Sequence, residues 1–377
     1  MATNYHAEHV GSLLRPPELL AARAAYGRGE IGADRLREIE DEAALAALEV
    51  QRQAGIKVFT DGEVRRATWM AGLLESLGGV VQVAHAPMVR WHGDGEDPPD
   101  EETAFTMVAA NGKLSQKANH TSVEASFLAR HAPGQFKITM MSSSMGPLLW
   151  NPDISAKVYP TPAEMMADLV ALQIKEIQGL IDQGVTWVQL DSLGYNQVID
   201  DEFRTQALAG RPGLVELTPE IILNATIAVD KELVATTKRH NPDVTVGMHF
   251  CRGNNRSAWM SKGGYEPIAE RLFSEVGVDR FLLEYDSERA GGFEPLRFIP
   301  DGATVVLGLV SSKTPRLEPV DELRRRIDEA AKYIPIENLA LSPQCGFAST
   351  AAGNLLTVDE ERRKLELVVT TAERVWG

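Results

Sequence analysis

Eight short apolar runs alternate with long amphipathic stretches, a polar residue stands at the downstream end of nearly every run, and no G-x-G-x-x-G follows the first. Together these predict an α/β protein, a (β/α)8 TIM barrel, with a doubly wound open sheet as the alternative. Near-continuous apolar runs suit parallel strands covered on both faces. A length of 377 residues fits one large barrel or two average domains, and the chain reads as a single domain over residues 1–377.

In chain order, the first run is His6–Ser12. Asp34–Ala54 follows as a helix, charged on one face and Ala/Leu-rich on the other, and Gly55 closes it. The second run is Lys57–Glu63. Gly78–Pro133, rich in Gly, Pro and charge, is expected as an inserted excursion with the form of a β-hairpin. The acidic run at its centre, Asp94–Glu102, reads as a solvated loop. The third run is Lys137–Ser142. Thr161 as N-cap, Pro162 at N1 and Glu164 at N3 then open a helix that runs to Gly184. The fourth run is Trp187–Asp191, and Thr218-Pro219-Glu220 starts the next helix in the same way. The remaining runs are Val244–Cys251, Phe281–Asp286, Thr304–Val310 and Leu339–Pro343, and the last two helices are Glu318–Tyr333 and Thr357–Trp376.

Composition excludes several classes. Hydrophobic residues make up 44% and charged residues 24%, which is ordinary for a soluble enzyme. The net charge of −15, from 38 basic and 53 acidic residues, opposes contact with nucleic acid or anionic membranes. No apolar run nears the roughly 20 residues that span a bilayer, and Met1–Gly11 lacks an apolar signal core. Two cysteines do not make a disulfide framework. A cytoplasmic location is the expectation, and the oligomeric state is left open.

Barrel enzymes carry their chemistry at the C-terminal ends of the strands. There the sequence places Ser12, Glu63, Ser142–Ser144, Asp191, His249 with Cys251, Glu284 with Asp286, Ser311–Lys313 and Cys345. Residues i and i+2 of a strand face one side, so His249 and Cys251 can share an ion, which Glu284 and Cys345 can join from other strands. His, Cys and carboxylate donors at about 2.0–2.3 Å form a zinc pattern, and soft thiolates disfavour magnesium or calcium. The same residues also admit a packed strand histidine and buried cysteines, a structural zinc, or a redox disulfide. Glu63 and Asp191 also fit as core carboxylates paired with Arg65 and Arg66, Ser142–Ser144 as an ordinary loop, and Lys313 as a solvated lysine. Trp69, Trp150 and Trp259 either stack a planar ligand or fill the core.

Several motifs carry a resemblance that spans nearly the whole chain. They are His9-Val10-Gly11-Ser12, Thr60-Asp61-Gly62-Glu63, Gln189-Leu190-Asp191, His249-Phe250-Cys251-Arg252-Gly253-Asn254, Leu283-Glu284-Tyr285-Asp286, Val306-Leu307-Gly308-Leu309-Val310 and Ser342-Pro343-Gln344-Cys345-Gly346-Phe347. With these the chain resembles the C-terminal catalytic barrel of cobalamin-independent methionine synthase, and more closely the short, single-barrel methionine synthase II-like proteins. The resemblance implies zinc held by His249, Cys251, Glu284 and Cys345. It implies that Ser12, Glu63 and Asp191 hold the amino-acid part of homocysteine, and that the Ser144–Pro147 stretch lines the methyl-donor side.

The chain also departs from the family pattern. The full-length family enzyme has an additional N-terminal barrel, absent from this sequence. Its fourth-strand motif continues Asp-Glu-Pro where this chain has Asp191-Ser192-Leu193. Its general-acid His after the seventh strand is replaced here by Leu309-Val310-Ser311-Ser312-Lys313, with Lys313 as a substitute acid. The expected activity is zinc-dependent alkyl transfer to a thiol, most simply methyl transfer to homocysteine from a methyl-folate or a simpler methyl donor. One alternative is an epoxide-opening transferase acting on coenzyme M, with Arg252, Arg256 or Lys313 binding the sulfonate. Another is a non-catalytic, metal-storing barrel.

Overall fold

The structure, a computed structural model, describes residues 5–83, 88–93, 102–104, 107–209, 214 and 217–377. The barrel wall is built from β1 (Val58–Phe59), β2 (Ile138–Met141), β3 (Trp187–Ser192), β4 (Thr245–Phe250), β5 (Arg280–Glu284), β6 (Thr304–Val310) and β7 (Leu339–Pro343). Strands β2 to β7 form one six-stranded sheet in chain order, every pairing parallel. β1 pairs in parallel with Gln135–Phe136, just ahead of β2.

The eighth place in the wall belongs to the segment His6–Ser12. Ala7 bridges Leu341 in parallel, and the Glu8 N–H donates to Leu341 O at 3.0 Å. At the other end the Leu13 N–H reaches Gly62 O at 2.9 Å, so the ring closes. The expected first strand is therefore reduced to one bridge. Side chains take its carbonyls instead: Lys137 binds His9 O at 2.5 Å, Gln189 binds Val10 O at 2.8 Å and Arg280 binds Tyr5 O at 2.8 Å. The second strand stops at Phe59 for a similar reason. The Gln51 amide bonds both the N–H and the C=O of Thr60, each at 2.9 Å.

Seven of the described helices alternate with the strands of the wall: α1 (Ala33–Ala54), α2 (His120–His131), α3 (Pro162–Asp182), α4 (Pro219–His240), α5 (Glu266–Glu275), α6 (Val320–Ala330) and α7 (Val358–Trp376). Their ends follow the capping chemistry of the sequence. Gly55 is left-handed at φ 85° after α1, Thr161 and Thr218 cap α3 and α4, and Thr357 with Glu360 forms a capping box on α7.

Within the stretch expected as an excursion, Leu77–Val83 pairs antiparallel with Met107–Gln116, and Met88–Arg90 with Glu102–Ala104. Asp94–Glu101, the body of the acidic run, lies outside the described residues. The last part of the stretch is α2, which buries Ala125, Phe127 and Leu128 in the main core.

Alternation along the strands sends Phe281, Leu307 and Leu341 outward into the core shared with Leu272, Ile327 and Leu365. Val10, Leu282, Val306 and Ala340 meet inside the ring. Also buried is an ion cluster, in which Glu8 joins Lys137 at 2.8 Å and Arg280 at 3.0 Å. Three charges out of water are tolerated because each is paired and hydrogen-bonded.

Candidate active site at the strand ends

The ligand atoms of His249, Cys251, Glu284 and Cys345 all lie within 4.8 Å of one another. They come from three places in the wall: the end of β4, the end of β5 and the turn after β7. His249 Nδ1 lies 3.3 Å from Leu282 O, which favours the tautomer whose Nε2 lone pair is free. Nε2 itself is buried without a hydrogen-bond partner among the described residues. Cys251 Sγ sits 3.5 Å from Cys345 Sγ and accepts the Gly253 N–H at 3.3 Å. Gly253 can turn this N–H inward because it has φ +87°, and a Cβ there would stand 2.4 Å from Met260 Cγ. Glu284 Oε1 accepts the Arg252 N–H at 2.7 Å, and Oε2 faces Arg289 at 3.3 Å.

The electrostatics of this cluster fit a cation. The contact between the two thiols pulls the Cys345 pKa well below the usual range and pushes that of Cys251 well above it. Burial, and then the charge of Cys345, raise the Glu284 pKa. Two sulfurs, an imidazole nitrogen and a carboxylate, all drawn together out of water, are the donor set for a soft divalent metal.

Glu63 and Asp191 stand beside this cluster. Glu63 adopts φ +53°, an uncommon conformation for a residue with a Cβ. Its Oε1 accepts the Thr139 hydroxyl at 2.7 Å, and Oε2 has no hydrogen-bond partner among the described residues. The pairing of Glu63 with nearby arginines, one of the open readings, is weak. Arg66 is 3.9 Å from Glu63 and instead grips Glu124 at 2.7 and 2.5 Å, while Arg65 joins Asp41 at 2.6 Å. Asp191 is opposite His249 in the β3–β4 register and accepts the Gln189 amide at 2.8 Å. Burial, opposed by His249 and reinforced by Glu63, pushes its pKa up to about 7. Ser12 lies against the turn that carries Cys345, so close that a Cβ on Gly346 would stand 2.0 Å from Ser12 Oγ.

Lys313 is buried rather than solvated. Its Nζ is tied to Asn254 Oδ1 at 3.0 Å and Gly253 O at 3.3 Å, and its charge acts on Glu284 and Cys345. Ser144 is buried too. It donates to Ser142 Oγ at 3.0 Å, Ser142 donates to Asp230 Oδ1 at 2.5 Å, and Tyr195 donates to Asp230 Oδ2 at 2.7 Å. Trp69 packs with Cys251 against the apolar cluster of Met141, Met145, Leu193 and Met260. Trp150 is anchored through its Nε1 to Tyr159 O at 3.0 Å, and Trp259 stacks on His92 with ring centroids 4.6 Å apart.

The sequence motifs contain Gln189 and Asn254 without assigning them a role, and no sequence motif singles out Asp230 or Tyr195. Asn254 joins the loop after β4 to the loop after β7 by donating to Gly346 O at 2.6 Å. A groove of about 700 Å³, lined in part by Arg23, Glu40, Arg65, Arg66 and Glu124, includes none of the four candidate metal ligands, and these arginines are already paired with carboxylates.

The fold and cluster define a class, a parallel (β/α)8 barrel with a thiol-rich candidate metal centre at the C-terminal ends of its strands. Within that class, the chain belongs to the family of the cobalamin-independent synthase catalytic domain, whose family model matches residues 6–374. It is 35% identical over 376 residues to the uncharacterized protein YxjH of Bacillus subtilis, covering 99% of this chain and 95% of that one. It is 23% identical over 338 residues to a methionine synthase of Pyrococcus abyssi, covering 90% and 85%. A crystal structure from Listeria monocytogenes, assigned as a vitamin-B12-independent methionine synthase, superposes with a TM-score of 0.72 at 28% identity, covering 99% and 98%.

Proposed function

We propose that this protein is a zinc-dependent methyltransferase that alkylates the thiol of homocysteine to give methionine. The observation that carries the reading is the convergence of His249, Cys251, Glu284 and Cys345 within 4.8 Å, beside Glu63 and Asp191. Family membership and the methionine synthase relatives support it. Zinc, when held by these four residues, lowers the pKa of a bound thiol so that a thiolate is present at neutral pH.

The chain's own residues do the rest. Glu63 and Asp191 take the substrate ammonium, which returns Asp191 to its charged form. Ser12 Oγ and neighbouring backbone N–H groups take the carboxylate. The apolar side chains around Cys251 exclude water and hold the electrophile in line, where positioning supplies most of the rate. Lys313 lends a positive charge beside Glu284 and Cys345.

The coenzyme M alternative finds one candidate cation, the buried Arg252 guanidinium, whose nitrogens have no hydrogen-bond partner among the described residues. Arg252 is fully buried over the Tyr265 ring at 4.5 Å, and the Lys313 head is already bonded to Asn254. The test is thiol consumption by the zinc-loaded protein with homocysteine and a methyl donor, and with coenzyme M and an epoxide. Turnover with homocysteine is expected, and turnover only with coenzyme M overturns the reading. X-ray absorption should show an added sulfur ligand on homocysteine binding, whereas an unchanged shell indicates a structural metal. Cys251→Ser should abolish metal binding and activity together, and activity that survives it rules out the metal-thiolate mechanism.

A further inference from the structure

We propose that Asp230, acting through Ser142 and Ser144, supplies the proton taken up by the leaving group of an amine-type methyl donor. This rests on the methyltransferase reading above and addresses the general-acid histidine that the sequence lacks after β6.

Asp230 lies on α4, outside the barrel wall and fully buried. Among the described residues its carboxylate meets only hydroxyls, those of Ser142 at 2.5 Å, Tyr195 at 2.7 Å and also Ser144, and no salt bridge to it occurs. Ser144 Oγ continues the chain at 3.0 Å from Ser142 Oγ and lies 3.5 Å from Ser192 Oγ. Ser192 follows Asp191 on β3, and its carbonyl accepts the Cys251 N–H at 3.2 Å. The chain of hydroxyls therefore runs from the helix layer to the strand end that borders the metal cluster. A buried carboxylate with no counter-ion is costly in its charged form. Burial accordingly pushes the Asp230 pKa up to about 6, against the hydroxyl bonds that lower it. Tyr195 is the titratable group in contact, Glu275 of α5 acts on Tyr195, and Gln173 of α3 faces the Ser143 N–H. None of these is a competing acid in the physiological range.

In the transfer step the S–CH3 bond forms while the CH3–N bond breaks, and the electron pair passes to nitrogen. Nitrogen takes the Ser144 hydroxyl proton, Ser144 takes that of Ser142, and Ser142 takes that of Asp230. Asp230 is left as a carboxylate and regains a proton from solvent. Because each hydroxyl can rotate, the same three groups serve in either direction.

The test is steady-state methyl transfer from a methyl-folate to homocysteine by the zinc-loaded protein across pH. Asp230→Asn, which keeps the shape and most of the bonding, should lower kcat about 100-fold, the scale of general-acid catalysis. It should also remove the fall in rate above pH about 6, with the KM for homocysteine and the zinc content retained. Ser144→Ala, at the site end of the chain, should reproduce the kcat loss even if the Asn variant folds poorly. A kcat within threefold of wild type, or an unchanged pH limb, overturns the proposal. Difference infrared spectroscopy of wild type against Asp230→Asn at pH 5 should show a protonated carboxyl stretch. Its absence overturns the relay whichever donor is used. Loss of homocysteine turnover with every donor in the wild type, with the infrared band present, would count against the methyltransferase reading instead.

Discussion

At the scale of single residues, burial reverses the ordinary behaviour of several carboxylates. Glu361 of α7 is fully buried, with the Leu14 N–H at 2.8 Å as the only partner of its side chain among the described residues, and burial pushes its pKa up to about 8 from an ordinary 4.5. Below pH 4.5 it is neutral in both the folded and the unfolded chain and has no effect on stability. Between 4.5 and 8 the unfolded chain loses this proton while the folded one keeps it, so stability falls as pH rises and levels off above 8. Glu361→Gln should therefore raise stability at pH 8 by a few kcal/mol, at most about 1.4 for each pH unit of that window, with little change at pH 4. Urea midpoints at the two pH values measure this, and equal changes at both would refute it. Of the candidate metal ligands, His249 and Cys251 are legible together at this scale because period-2 alternation puts them on one face. Asp230 left a trace as well. It occupies the buried stripe of α4 with Leu223, Ile227, Leu233 and Val234, a place where an apolar residue is expected. The bent backbone of Glu63 and the role of Gln189 left none, since both depend on partners far along the chain.

Elements were recovered where their signals are local. The caps at Thr161, Thr218 and Thr357 and the glycine at 55 set helix ends that the sequence shows directly. Thr357→Ala should cost about 1 kcal/mol, read as a lowered melting temperature. The first two strands are shorter than their apolar runs because hydrogen bonds from Lys137, Gln189, Arg280 and Gln51 replace the backbone ladder, and no local pattern reports a distant side chain. The antiparallel pair at Leu77–Val83 and Met107–Gln116 is fixed to the barrel partly through Tyr159, whose hydroxyl accepts the Leu114 N–H at 2.7 Å. Tyr159→Phe should speed amide exchange at Leu114 more than at residues of β3. Equal protection in the variant would show that apolar packing alone holds the pair.

For the molecule as a whole, closure of the ring depends on a small polar centre. Glu8 sits between Lys137 and Arg280, so Glu8→Gln would leave two buried cations without their carboxylate. A loss of about 3–5 kcal/mol is expected, measurable by urea denaturation, because breaking a buried pair strands the remaining charge. No described helix is long and apolar enough to cross a membrane.

The order of strands around the ring also constrains how the protein is made. Three ligands, His249, Cys251 and Glu284, emerge on β4 and β5, yet Cys345 follows β7, the last strand of the wall, which pairs with the first segment of the chain at Ala7. On a ribosome the candidate metal centre and the barrel thus become complete in one late event. Until then the two cysteines are kept apart by unfinished wall, and a half-synthesised chain offers metal only an incomplete, weaker set of ligands.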